Sequence, residues 1–227
     1  MATGHTIKAF DDDLDRLRAL IGEMGGLAER AIGEAMRCLV ERDAEGAARI
    51  VQDDRKIDAL EAETERRAVQ LIALRAPMAG DLRDVVAALK ISCVVERIGD
   101  YAKNIAKRVP LLESGGKIEP LSLMPEMARI ATEMVRDVLK AFVERDAEAA
   151  LRVIERDRAV DDFYDSLFRA LLTHMMENPH NIGQAAHLLF VAKNLERVGD
   201  HATNIAEMVY YAATGEQMVD DAKRYGP

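Results

Sequence analysis

Apolar residues recur every three or four positions along most of the chain, with charged and polar residues between them. This spacing puts apolar side chains on one face of an α-helix. It predicts three helices in the first half of the chain, over 8–41, 44–74 and 81–109. It predicts three more in the second half, over 125–144, 147–177 and 181–214. Since no stretch with turn signals alternates in the manner of a β-strand, we expect an all-α protein.

Residues that favour turns or helix starts mark the ends of these helices. Asp43, Asp81 and Asn181 are predicted to cap the second, third and sixth helices, because their side chains accept hydrogen bonds from free backbone N–H groups. Pro77 and Pro179 stand in the turns between the last two helices of each half. Each half is therefore predicted to be three long antiparallel helices.

The two halves of the chain repeat one another. Glu-Arg-Ile-Gly-Asp-Tyr-Ala-Lys-Asn-Ile-Ala at 96–106 returns as Glu-Arg-Val-Gly-Asp-His-Ala-Thr-Asn-Ile-Ala at 196–206. Val40-Glu-Arg-Asp-Ala-Glu45 likewise returns as Val143-Glu-Arg-Asp-Ala-Glu148. A duplication of this kind predicts two similar units. We expect the units and their connections at 1–110 (first three-helix bundle), 111–123 (linker), 124–216 (second three-helix bundle) and 217–227 (short tail).

Acidic and amide side chains occupy one helix face in both halves. Positions i, i+4 and i+8 share a face, which aligns Glu96, Asp100 and Asn104 in one half and Glu196, Asp200 and Asn204 in the other. The preceding helix of each half carries an acidic pair, Asp54 with Asp58 and Asp157 with Asp161. Each pair precedes its turn by nearly as many residues as the motif follows it. Antiparallel packing should therefore bring four carboxylates to one height.

Clustered carboxylates repel one another, and a hard cation relieves this repulsion. Oxygen ligands alone suit Mg²⁺, Ca²⁺, Mn²⁺ or ferric iron. The alternative is a solvated acidic face on which Arg97 and Arg197 pair locally. The Glu-x-x-His signature of di-iron bundles is absent, since Gly99 and Gly199 occupy the histidine positions. These glycines also allow a neighbouring helix to approach closely.

Composition narrows the function further. The net charge of −9 and the pI near 5.2, without any basic stripe, argue against nucleic-acid binding. No apolar run reaches the roughly 18–20 residues of a membrane helix, and the acidic N-terminus lacks a signal core, so a cytoplasmic protein without direct membrane insertion is expected. Cys38 and Cys93 are expected to be free thiols buried in helices, and His201 a polar packing residue.

The doubled Glu-Arg-(Ile/Val)-Gly-Asp motif, about 100 residues apart and followed each time by Asn-Ile, resembles that of the PhoU family of phosphate-signalling proteins. Pro77-Met-Ala-Gly-Asp-Leu-Arg83, His174-Met-Met-Glu177 and the Tyr210-Tyr-x-x-x-Gly215 ending add to this resemblance, which covers nearly the whole chain. It implies two three-helix bundles with pseudo-twofold symmetry. It also implies multinuclear sites for iron, manganese or magnesium at the eight carboxylates, with Asn104 and Asn204 as supporting donors.

The resemblance implies a regulatory role rather than an enzymatic one. Such a protein represses phosphate signalling and uptake, and it links the ATPase subunit of a phosphate-specific ABC transporter to a PhoR-type sensor histidine kinase. It would be cytoplasmic, peripheral to the inner membrane through these partners, and a homodimer. Two alternatives stay open: a metal-dependent phosphohydrolase that uses a carboxylate-bridged cluster, and a structural helical module without metal.

Overall fold

The structure, a computed structural model, describes residues 2–112 and 119–218, with side chains from 8–112 and 121–218. This part of the chain is helical and contains no strand. Its helices are α1 (Ala2–Glu41), α2 (Ala44–Asp53), α3 (Arg55–Arg75), α4 (Gly80–Ala106), α5 (Met124–Glu144), α6 (Ala147–Glu177) and α7 (Ile182–Thr214). Short 3-10 turns cover Val109–Leu112, Glu119–Leu123 and Pro179–Asn181. The predicted all-α class is confirmed.

The helices form two bundles that lie side by side. In the first, α1 packs on α4 and on the α2–α3 pair; in the second, α5, α6 and α7 pack on one another. The bundles meet where α4 contacts α7 and where α1 contacts α5. Apolar side chains at three- and four-residue spacing fill the interior, among them the solvent-excluded Leu17, Ile21 and Met24 of α1 and Ile91 and Ile98 of α4. Two tandem three-helix bundles are therefore confirmed.

Equivalent positions of the two repeats meet at the α4–α7 contact. The Tyr101 hydroxyl lies 3.3 Å from His201 Nε2, and the ring centroids are 5.1 Å apart at an interplanar angle of 85°. Residues related by a twofold axis contact each other where that axis passes between them. This pair therefore agrees with pseudo-twofold symmetry, and it gives His201 the packing role that was expected.

An ion pair with a buried carboxylate also joins the two bundles. Asp84 of α4 is 4% exposed, and its Oδ2 lies 3.0 Å from Arg145 Nη1 of the second bundle and 3.6 Å from Arg18 Nη2 of α1. Burial raises the pKa of Asp84 above its usual value, against the opposite effect of Arg145 and Arg18. The equivalent position of the second repeat carries Gln184. The two halves thus share a backbone fold but differ in the charge at this position.

Of the predicted caps Asp43 and Asp81, the first is confirmed and the second was wrong. Asp43 caps α2 as predicted, since its Oδ1 accepts a hydrogen bond of 2.7 Å from the Gly46 N–H. The prediction that Asp81 caps α4 was wrong. The preceding turn ends one residue earlier than expected, with Ala79 at φ 49° and ψ −114°, so α4 already begins at Gly80 and Asp81 lies inside its first turn.

The prediction that Asn181 caps the last helix was also wrong, because its side chain makes no capping bond to α7. A 3-10 turn over Pro179–Asn181 leads into α7, and the capping bond forms at the start of this 3-10 turn. There the Asn178 side chain accepts a hydrogen bond of 3.0 Å from the His180 N–H. An asparagine does make the capping bond in this part of the chain, but it is Asn178 and not Asn181.

The predicted second helix over 44–74 is two helices. α2 ends at Asp53 and α3 begins at Arg55, and Asp54 lies between them. The Ile57 N–H bonds the Asp54 carbonyl at 2.9 Å, a three-residue spacing that tightens the backbone locally. In the second repeat α6 runs without a break through Asp157, the residue equivalent to Asp54.

Two predicted segments fall partly outside the described residues: 113–118 of the linker 111–123, and 219–227 of the tail 217–227. α7 ends next to Gly215, whose φ of 81° lies in the left-handed region that favours glycine. Among the helices within 2–112 and 119–218, none has a stretch long and apolar enough to cross a membrane.

Candidate metal-binding clusters

Glycines bring the acidic helices together in both repeats. A Cβ atom added at Gly99 would lie 2.7 Å from Ile57 Cδ1 and 3.6 Å from Asp54 Oδ1, and one added at Gly199 would lie 2.8 Å from Asp157 Oδ1. The preceding helix therefore rests directly on the glycine, where any larger residue would hold it away. This confirms the close-approach role considered for the two glycines.

Cluster 1 consists of Asp54 and Asp58 on the α2–α3 side and Glu96 and Asp100 on α4. Burial raises the pKa of Asp58, and the negative charges of Asp54 and Asp100 raise it further. Burial also raises the pKa of Glu96, followed in effect by Asp100, Asp58 and Asp54. The four carboxylates therefore lie within electrostatic range of one another, at the common height that helix rise predicts.

Lys103 inserts a positive charge into cluster 1. Its Nζ donates to Asp54 Oδ2 at 2.5 Å and also to Asp100 Oδ1. The Asp54 side chain is only 6% exposed, and that of Lys103 is 22% exposed. Burial alone lowers the pKa of Lys103, but the bonds to Asp100 and Asp54 outweigh burial and raise it. The ammonium group stays charged and joins α4 to the α2–α3 junction.

Cluster 2 consists of Asp157 and Asp161 on α6 and Glu196 and Asp200 on α7. Burial, followed by the charges of Asp161 and Asp200, raises the pKa of Asp157 to about 6. Burial and then Glu196 raise the pKa of Asp161, and the same two causes raise that of Asp200. These four carboxylates also lie together, and their mutual repulsion opposes full ionisation.

No residue of α7 bridges cluster 2 as Lys103 bridges cluster 1. The equivalent position carries Thr203, whose hydroxyl donates to the Gly199 carbonyl at 3.3 Å. Asp157 Oδ1 and Glu196 Oε2 are buried oxygens without a hydrogen-bond partner. An unpaired buried carboxylate oxygen costs free energy, so cluster 2 has unsatisfied acceptor capacity.

The lysine nearest to cluster 2 lies at its rim. Lys193 Nζ pairs with Glu196 Oε1 at 2.5 Å and lies 5.3 Å from the centroid of the Tyr164 ring, with a side chain that is 42% exposed. In cluster 1 the position of Lys193 carries Cys93 and that of Tyr164 carries Glu61. The Cys93 thiol donates to Glu61 Oε1 at 3.3 Å. Lys193 thus contacts one carboxylate and leaves its second oxygen unpaired.

Two residues at cluster 1 were not singled out from the sequence. Lys103 is one; Glu61 is the other, since its negative charge contributes to the raised pKa of Asp58 and of Glu96. A signal was present, because Glu61 follows Asp58 by three positions and Lys103 follows Asp100 by three, which places each on the same helix face. What the spacing does not reveal is the contact between Lys103 and Asp54 on another helix.

The expectation that both cysteines are buried was half wrong. Cys38 is buried and Cys93 is exposed, and both are free. Cys93 lies on the α4 face toward Glu61, at the edge of cluster 1, and not on the core face. Asn104 is half-buried and Asn204 exposed. Both remain predicted supporting donors.

The donor chemistry of both clusters fits a hard cation. Within residues 2–112 and 119–218, no three His, Cys, Asp or Glu side chains converge closely enough to hold a metal ion as they stand. However, Asp58, Asp161 and Asp200 are exposed, so their side chains can rotate at small cost. The raised pKa of Asp157 and the unpaired buried oxygens of Asp157 and Glu196 indicate that cluster 2 has acceptor capacity that Lys193 does not fill. Metal ligation stays a prediction.

Comparison with known proteins covers both repeats. A family model described as the PhoU domain matches residues 21–109 and 124–209. The phosphate-specific transport system accessory protein PhoU homolog of Zymomonas mobilis is 58% identical over 95% of this chain and 91% of its own. The protein of the same description from Caulobacter vibrioides is 46% identical over 95% of this chain and 94% of its own.

Two solved structures share the fold. The crystal structure of PhoU from Pseudomonas aeruginosa matches with a TM-score of 0.87 and 34% identity, over 91% of this chain and 100% of the other. The phosphate transport system regulatory protein PhoU from Streptococcus pneumoniae matches with a TM-score of 0.86 and 28% identity, over 92% and 99%. The likeness therefore extends over both bundles.

Proposed function

The chain belongs to the PhoU family of phosphate transport accessory proteins, and from this premise we propose that it is a negative regulator of phosphate signalling and phosphate uptake. The observation that carries the proposal is the match of both repeats, over nearly the full length, to relatives described as accessory proteins of the phosphate-specific transport system. Its role is that of an adaptor between the ATPase subunit of the transporter and a PhoR-type sensor histidine kinase.

The adaptor works by docking and not by catalysis. Two rigid bundles offer faces to more than one partner, and a second copy of the chain pairs with the first as a homodimer. The protein acts in the cytoplasm and reaches the inner membrane through the transporter. The family assignment and the close-packed helical core support this role.

Both clusters bind hard metal ions, such as iron, manganese or magnesium. The unpaired buried oxygens of Asp157 and Glu196 support this part of the proposal. A bound cation supplies positive charge that lets neighbouring carboxylates ionise together. The ligands are Asp54, Asp58, Glu96, Asp100, Asp157, Asp161, Glu196 and Asp200, with Asn104 and Asn204 as supporting donors.

Deletion of the gene tests the regulatory role. We expect alkaline phosphatase to become active in phosphate-rich medium, and the wild-type gene to restore repression. Unchanged repression after deletion would contradict the proposal. A strain that carries the doubly substituted D157N/D200N protein, compared at equal protein level with a D162N/E207Q control, tests whether cluster 2 takes part.

Elemental mass spectrometry of protein purified without chelators or affinity metals tests metal binding. We expect hard cations in the wild-type protein and fewer in the D157N/D200N variant. A well-folded protein free of metal would favour the solvated acidic faces of a purely structural module. A screen with phosphoesters and Mn²⁺ checks the enzymatic alternative, since hydrolysis lost in the same variant would show that cluster 2 is catalytic.

A further inference from the structure

The two clusters contain equivalent carboxylates but obtain positive charge differently. In cluster 1 the Lys103 ammonium bonds Asp54 and Asp100, which belong to two different helices. A metal ion that joined the same two carboxylates would need the space between their oxygens. The lysine therefore occupies the position that a bridging cation would take.

Cluster 2 leaves this position to a small neutral residue. Thr203 replaces the lysine; its hydroxyl donates to the Gly199 carbonyl, and its side chain also interacts with Asp157, whose pKa it lowers without supplying a charge. Asp157 Oδ1, which lies toward Gly199, and Glu196 Oε2 are buried and have no hydrogen-bond partner. Lys193 does not bridge the two helices, since it pairs directly with the other oxygen of Glu196 at the rim, beside the Tyr164 ring, and acts on Asp161 and Asp200 only through its charge.

We propose that Lys103 is a tethered cation that competes with metal ions at cluster 1, so that the two clusters load in order, cluster 2 first. Cluster 1 then binds a metal ion only when the ammonium group leaves Asp54 and Asp100. The Lys103 side chain is already 22% exposed, and its four-carbon stem lets the ammonium swing into water. This inference rests on the proposed metal binding and assigns unequal roles to the two repeats.

An opposite charge within about 4–6 Å changes the affinity of a carboxylate for a proton by roughly 10- to 1000-fold. A metal cation responds to the same field. Loss of the Lys103 charge should therefore tighten metal binding at cluster 1 by about tenfold or more. A lysine introduced at position 203 should weaken cluster 2 by a similar factor, because it starts from the equivalent position of α7.

The experiment is a titration of the full chain, stripped of metal, with Mn²⁺ alone, followed by electron paramagnetic resonance and calorimetry. We expect two classes of sites in the wild-type protein that differ about tenfold or more in affinity. The D58N/E96Q variant should lose the weaker class and the D161N/E196Q variant the tighter one. These matched pairs assign the classes while Lys103 keeps both of its carboxylates.

The charge at position 103 is then varied. K103T and K103M should both tighten the weaker class, K103R should retain wild-type binding, and T203K should weaken the tighter class. Equal affinities in the two repeats, or a weaker class unchanged in K103T and K103M, would overturn the inference while metal binding stood. If no protein bound Mn²⁺ at either cluster, the proposed metal binding would fail as well. T203K keeps the test decisive if the Lys103 variants do not fold.

Discussion

The acidic clusters of the two repeats hold equivalent carboxylates, yet only cluster 1 contains a lysine that bridges two of them. There Asp54 is nearly fully buried and paired, at a break between two helices. Asp157, its equivalent, lies in an unbroken helix with one oxygen buried and unpaired. The difference teaches that a shared backbone and a shared acidic motif do not determine charge balance. One residue per repeat, Lys103 or Thr203, decides whether the positive charge is internal.

The largest effect should come from removal of the acidic partner of that lysine. In metal-free protein, Asp54→Asn leaves the Lys103 ammonium with one carboxylate in place of two. Breaking a buried ion pair costs about 3–5 kcal/mol. Because Lys103 is partly exposed and keeps Asp100, we expect the free energy of unfolding to fall by about 2 kcal/mol. Urea denaturation at pH 7 measures it.

The matched substitution in the other repeat is the control. Asp157→Asn removes one of several repelling carboxylates and breaks no ion pair. We expect metal-free protein to lose no stability, and to gain up to about 1 kcal/mol. Equal destabilisation by both substitutions would mean that the two clusters are electrostatically alike, against the difference described above.

The pH dependence of stability should be the next largest effect. Burial, with the charges of Asp161 and Asp200, raises the pKa of Asp157 to about 6 in the folded protein, against about 3.9 in an unfolded chain. The folded state therefore binds this proton more tightly. Its contribution to stability is present below about pH 4 and is lost as the pH rises to about 6.

Asp157 is partly exposed, and screening by solvent reduces the effect to about 1 kcal/mol. Denaturation midpoints of metal-free protein between pH 4 and 7 measure this contribution to stability. The difference between the wild-type protein and Asp157→Asn isolates this group from Glu196, Lys193 and the other charges that face it. A difference that does not vary over this range would remove Asp157 as the titrating group.

The smallest effects should come from replacing Gly99 or Gly199 with alanine. The first substitution should lower stability, and the second should affect metal binding. Gly99→Ala pushes its Cβ against Ile57, which is only 2% exposed. Overpacking of about 1–3 kcal/mol, offset by the better helix propensity of alanine, leaves a loss of about 1 kcal/mol. Gly199→Ala instead displaces the Asp157 carboxylate, whose Oδ1 would lie 2.8 Å from the added Cβ.

We therefore expect Gly199→Ala to change stability by less than about 0.5 kcal/mol while Mn²⁺ binding at cluster 2 weakens. Denaturation and Mn²⁺ titration of both variants make the comparison. If Gly199→Ala destabilised the protein as much as Gly99→Ala and left metal binding intact, the glycine would serve helix packing alone.

Much of the architecture could be predicted because it depends on local spacing. The apolar periodicity predicted the helices, and Asp43 predicted the start of α2. Errors arose where several local solutions compete. Asp81 is an acceptable cap, but the turn at Ala79 placed it inside α4, and the tightened backbone at Asp54 divided a helix that periodicity joined. Such choices depend on how the turn packs, and neighbours in sequence do not reveal it.

By itself, the sequence determined that two repeated helical units exist and that four carboxylates of each stand at one height. Both follow from helix periodicity and from a rise of about 1.5 Å per residue away from a shared turn. Only the tertiary structure decided that Lys103 bonds Asp54 across two helices, and that oxygens of Asp157 and Glu196 are buried without partners. Helical periodicity is local along the chain, whereas burial and charge balance depend on groups that other helices supply.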